Sequence, residues 1–78
     1  MTPPGRAGIV KRSLVIAGHR TSVSLEEPFW EALKEMAAAR GISIARAVAA
    51  IDETRGEQNL SSAIRVAVLA YVRSAPRG

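Results

Sequence analysis

The chain has 78 residues, a formal net charge of +4 and no cysteine. One domain of this size buries little more than half of the surface that its unfolded chain exposes, and disulfide or thiolate–metal staples are excluded. An apolar content of 47% is nevertheless too high for a disordered chain, so these residues must be packed, and oligomerisation is the common remaining route to stability.

Charge is unevenly placed along the chain. Of the eleven Lys and Arg, Arg6, Lys11, Arg12 and Arg20 lie within residues 1–25, which hold none of the seven Asp and Glu. Over residues 26–78 the two signs cancel. The whole net charge therefore sits in the N-terminal third, which suits a polyanion partner there. Residues 1–10, with Pro3, Pro4, Gly5 and Gly8, read as a flexible basic arm. They lack the apolar core of a signal peptide. No apolar run approaches the roughly 18 residues that span a bilayer, and the expected location is the cytoplasm.

Residues 11–25, KRSLVIAGHRTSVSL, are the only strand-like stretch. Thr21, Val23 and Leu25 alternate with Arg20, Ser22 and Ser24, and a period of two sends these sets to opposite faces. The part from Ser13 to Ala17 alternates less cleanly, and Gly18 reads as a bulge, a turn or a boundary. A helix is expected over 26–40. Ser24 and Glu27 have the spacing of a capping box, Phe29, Trp30, Leu33, Met36 and Ala37 form an apolar stripe, and Gly41 is a stop. Ser43 is a candidate N-cap for a second helix, 43–55, whose apolar side is Ile44, Ala47, Val48 and Ile51. Asn59 or Ser61 caps a third, 60–74, apolar almost all round with Arg65 inside it. Such a helix needs cover on several sides, and a second subunit is the simplest cover.

The expected fold is thus mainly α with one N-terminal strand at about 19–25, in a domain over residues 11–75. A lone strand leaves both backbone edges unpaired. Pairing with a copy of itself across a two-fold axis solves this. The alternative is a hairpin within 11–25 turning at Gly18-His19, which is marginal by itself.

One strand followed by helices, with R-T-S-V-S-L at 20–25, Phe29 and Trp30 opening an amphipathic helix, and the G-I-S-I turn at 41–44, resembles the ribbon-helix-helix (Arc and MetJ) class of repressors. The resemblance covers about residues 19–55. It implies an intertwined homodimer whose intersubunit two-stranded antiparallel ribbon lies in the DNA major groove. Arg20, Ser22 and Ser24 would then contact bases, Arg20 donating two hydrogen bonds to a guanine. It also implies a phosphate held by the start of the second helix, at Ser43 and Ile44. Asn59 to Ser62 is a second candidate end of that kind, with Arg65 one turn in. Lys11, Arg12 and His19 are candidate phosphate contacts, with Arg6 further out on the arm.

The implied function is a sequence-specific DNA-binding repressor whose partners are double-stranded DNA and a second copy, with a higher oligomer on DNA as a possibility. The alternative is a protein-interaction or antitoxin-like module on the same fold. No cofactor or metal is implied, because His19 is the single histidine and has no neighbouring ligand. No spacing supports a catalytic set, so no enzyme activity is expected.

Overall fold

The computed structural model describes residues 8–74. Its elements in chain order are β1 (Ile9–Ile16), β2 (His19–Glu26), α1 (Glu27–Arg40), α2 (Ile44–Thr54) and α3 (Leu60–Ser74). The largest departure from the sequence reading is β1. Within the chain the 19–26 strand pairs with a second strand, as in the hairpin alternative, and β1 is antiparallel to β2 along its whole length. Ile9 and Val10, expected in the arm, belong to this strand, while Arg6 lies outside the described residues. The capping box at Ser24 and Glu27 does not form. β2 runs straight into α1, and the N-cap is Glu26, without a side-chain cap bond.

The two strands are joined by Ala17 and Gly18, with φ of 51° and 85°. Two consecutive left-handed residues make the tight loop whose twist matches that of paired strands. The turn therefore lies one residue before the expected Gly18-His19. In the register Ile9 faces Glu26, Lys11 faces Ser24, Ser13 faces Ser22 and Val15 faces Arg20. Cross-strand partners share a face, so the other face carries Val10, Arg12, Leu14 and Ile16 against Leu25, Val23, Thr21 and His19.

That inner face closes over the helices. Ile16, Val23 and Leu25 join Leu33, Met36, Val48, Ile51, Ile64 and Val68 in one buried cluster. No polar or charged residue is buried among the described residues. The helix boundaries are built by their own residues. Gly41, at φ 69°, lets its N–H reach the Ala38 carbonyl and that of Ile42 reach the Ala37 carbonyl, both at 3.0 Å. The Ser43 hydroxyl accepts from the Arg46 N–H at 3.0 Å, and Asn59 Oδ1 accepts from the Ser62 N–H at 3.1 Å.

Two arginines tie the hairpin to the helices. Arg12 donates to Glu27 at 2.7 Å and lies 4.4 Å above the Trp30 ring centroid. Arg65 of α3 donates to Glu26 at 2.9 Å and to the Ser24 carbonyl at 3.3 Å, while the Ser24 N–H donates to the Ser61 hydroxyl at 3.0 Å. The Glu26 carboxyl is held below its ordinary pKa of 4.5 mainly by the Arg65 hydrogen bond, then by its own backbone N–H and by the Arg65 charge, with desolvation opposing.

Two predictions follow from the turn and from this ion pair. Ala17→Asn should raise stability by up to about 1 kcal/mol, because asparagine tolerates the left-handed region better than alanine. A shift of the urea midpoint to higher concentration at unchanged slope is the expected reading, and no shift or a fall would show that the turn is not left-handed. A depressed folded pKa contributes stability above the unfolded value and loses it as pH falls through the folded value. The melting temperature should therefore drop on acidification below about pH 4.5, and Glu26→Gln should shrink that drop. An identical acid profile in the variant would remove the ion pair from the account.

Candidate nucleic-acid interface

The hairpin's outer face is a largely polar surface made by both strands. It carries Lys11 and Ser13 from β1, Arg20, Ser22 and Ser24 from β2, with Ile9 and Val15 at opposite ends of β1. Lys11, Ser13, Arg20 and Ser22 are exposed, and Ser24 is half-buried beside α3. Glu26 is the acid on this face, and Arg65 neutralises it. Among the described residues neither Lys11 nor Arg20 has a carboxylate within ion-pair distance. The face therefore presents two cations, three hydroxyls and no unpaired acid. Hydroxyls donate and accept, and a guanidinium presents a planar donor fork.

The residues singled out from the sequence separate into groups. Arg20, Ser22 and Ser24 lie side by side on β2, with Lys11 opposite Ser24. His19 stands opposite Ile16 at the hairpin tip, exposed but on the other face from Arg20. Arg12 also faces inward, where Glu27 and Trp30 engage its guanidinium, and its side chain is only 21% exposed. It braces the hairpin rather than extending to a phosphate. Ser43 is exposed and spends its hydroxyl on capping, while Ile44 packs against the core.

The start of α2 lies near the hairpin tip. Val15 and Ala17 share a concave surface of about 360 Å³ with Ala45, Arg46, Ala49, Ala50 and the acidic Glu53. The first N–H groups of a helix have no partner within it, so α2 brings anion-attracting donors and the Arg46 side chain to the edge of the outer face. The rival end at Asn59 to Ser62 is occupied differently. Ser61 and Arg65 are both bonded to β2.

Ser13 is the face residue that sequence reasoning passed over. Its signal was the alternation of Ile9, Lys11, Ser13 and Val15 with Val10, Leu14 and Ile16. That pattern was masked because an inward position holds Arg12 and an outward one holds Val15. The helical surface holds a second feature. Pro28, Phe29 and Ala32 of α1 and Val68, Leu69 and Val72 of α3 line an apolar groove of about 190 Å³. Leu69 and Val72 are exposed, as is Val66.

Comparison with known proteins places this architecture. A ribbon-helix-helix domain model matches residues 9–72. Among solved structures, the chain is similar to an uncharacterized protein from Bordetella pertussis Tohama I. The identity is 35% and the TM-score 0.73, over 88% of this chain and 60% of that one. This chain thus spans 60% of the length of that protein. No curated protein matches. The family match starts at the first residue of β1 and runs into α3, so it takes in the hairpin, the first two helices and all but the last two residues of α3, beyond the segment that carried the resemblance in sequence. From the strand pair, the order of the helices and this match, the chain belongs to the ribbon-helix-helix family, a family of DNA-binding regulators.

Proposed function

We propose that this protein is a sequence-specific, homodimeric DNA-binding repressor of the cytoplasm that lays the outer face of its β1–β2 hairpin in the major groove. The observation that carries the reading is the composition of that face. Lys11, Ser13, Arg20, Ser22 and Ser24 stand together on a two-stranded ribbon whose lone acid, Glu26, is already neutralised. A major groove about 12 Å wide admits such a ribbon. Arg20 takes the base-reading role, donating to guanine O6 and N7. The serines contact base edges with little discrimination, so DNA shape carries part of the preference. Lys11 and the start of α2, with Ser43, Ile44 and Arg46, hold phosphates at the border of the groove. Because the ribbon belongs to one chain, each protomer carries a complete reading face. A homodimer would double that face and cover apolar surface that the single chain leaves exposed.

The apolar groove between α1 and α3 favours a second reading, a protein-interaction or antitoxin-like module that docks another protein there. The two readings separate by duplex titrations over a salt series. For the DNA reading, affinity falls steeply with salt. Arg20→Ala costs about 1–3 kcal/mol and weakens preference at one base position, whereas Lys11→Ala weakens binding to all sequences alike and lowers the salt slope by about 1. If both variants bind every duplex as the parent does, the hairpin is not the reader. If the parent binds no duplex at low salt, the interaction-module reading takes its place.

A further inference from the structure

The outer face of the hairpin carries two side chains that a polar interface does not call for. Val15 and Ile9, 61% and 56% exposed, stand at opposite ends of the outward row of β1. Their cross-strand partners set them apart. Ile9 faces Glu26, whose carboxylate is taken by Arg65. Val15 faces Arg20, which is exposed and, among the described residues, has no carboxylate within ion-pair distance. The two flank Ile16 and His19, the pair that closes the turn at Ala17 and Gly18. They therefore form a non-hydrogen-bonded pair, the kind whose side chains stand closest, with Cβ atoms about 4.5–5.5 Å apart. A branched apolar side chain and an unpaired guanidinium thus leave the same spot near the hairpin tip.

We infer that Val15 and Arg20 together read a 5-methylpyrimidine next to a guanine. Arg20 donates to guanine O6 and N7, and Val15 covers the C5-methyl of the thymine or 5-methylcytosine stacked beside it. This step specificity rests on the DNA reading of the outer face and says which step that face takes. Successive bases of a strand are about 3.4 Å apart, so two side chains rooted at nearly that spacing meet neighbouring base pairs. The C5-methyl is the apolar group of the major-groove edge, and it projects from the ring into the groove. A short side chain therefore meets it while the long arginine reaches the deeper guanine edge.

The surroundings of Val15 favour a base over a phosphate there. The concave surface that Val15 lines holds Ala17, Ala45, Ala49 and Ala50, with Arg46 and Glu53 as its charged members. Arg46, near the start of α2, attracts phosphate, and Glu53, about two turns further along, repels it. The DNA backbone is thereby directed to the start of α2, and Val15 is left to a base edge. Valine has no polar group, so it senses the methyl whichever ring carries it. The neighbouring hydroxyls of Ser13 and Ser22 discriminate little between bases, which makes the valine the source of preference beside Arg20.

Single-methyl changes in the DNA test this directly. The tightest-binding duplex is selected from a random-sequence pool with the parent protein, and the guanine read by Arg20 is located as the base pair whose preference Arg20→Ala removes. A selected site with neither thymine nor cytosine beside that guanine overturns the inference, as does the absence of any such base pair. Duplexes are then made with thymine, uracil, 5-methylcytosine or cytosine beside the guanine, each with its matched partner opposite. Thymine and uracil differ by the methyl alone, as do 5-methylcytosine and cytosine. The parent should bind the methylated member of a pair about fourfold more tightly, the worth of one buried methyl. Val15→Ala should bring that ratio to about one while the guanine preference stays. Val15→Thr, which keeps the β-branched shape and one methyl, should fall between. A ratio confined to thymine and uracil assigns the site to thymine, and one confined to the cytosine pair assigns it to a methylated step. Ratios of one for both pairs in the parent, or a fourfold ratio that survives Val15→Ala, overturn the inference. A parent that binds no duplex at low salt defeats the DNA reading and this specificity with it. A parent that binds its selected duplex through Arg20 but ignores the methyl defeats the specificity alone.

Discussion

The pairing of Ile9–Ile16 with His19–Glu26 is the constraint from which the rest of the molecule follows. It satisfies the backbone of a strand that would otherwise have no partner. It also sorts sixteen residues onto two faces. One face supplies Ile16, Val23 and Leu25 to the core, and the other collects the hydroxyls and cations of the outer surface. The pairing depends on Ala17 and Gly18 both taking left-handed backbone, which closes the strands in the correct twist. It is reinforced at both sides by arginines, Arg12 from β1 to α1 and Arg65 from α3 to β2. Without the hairpin, α1 would lose its apolar roof and α3 would lose the strand edge that its first turns bond to.

Much of this order is legible in the amino-acid sequence, and the reasons for the exceptions are specific. The helices announce themselves through spacing and punctuation. Gly41, Ser43 and Asn59 terminate or cap the elements they were expected to. β2 is visible because Val23 and Leu25 alternate with Ser22 and Ser24. β1 is not, because two of its residues invert the usual code. Arg12 points inward, its charge met by Glu27 and its plane by Trp30, while Val15 points outward. A polarity pattern read residue by residue cannot anticipate an inward cation that depends on partners fifteen and eighteen positions away. Without a clear β1 the hairpin within 11–25 stood only as the alternative to a lone strand at 19–25 that a second copy would pair.

The candidate interface was half readable for the same reason. Arg20, Ser22 and Ser24 emerge from the period of β2, whereas Ser13 and the position of Lys11 opposite Ser24 require β1. Arg65 shows the limit of reading a cation from sequence, where it is only the charge one turn into the third helix. In the fold its guanidinium is spent on Glu26 and Ser24. Counting cations therefore overstates the charge available to a polyanion, and the ribbon's own Lys11 and Arg20 matter more than the total of +4 suggests. The apolar surface of α3 at Val66, Leu69 and Val72 is a separate asset of the helical side, on elements that do not contribute to the polar face.

The central claim is that the hairpin's outer face is where nucleic acid binds. The measurement that tests it most directly is titration of a short duplex into isotope-labelled protein at low salt, following each backbone amide by nuclear magnetic resonance. The account predicts shifts concentrated at Lys11, Ser13, Arg20 and Ser22, extending to Ser43 and Ile44, with Val66, Leu69 and Val72 unmoved. Shifts confined to α3, or none in the hairpin at saturating duplex, would contradict it.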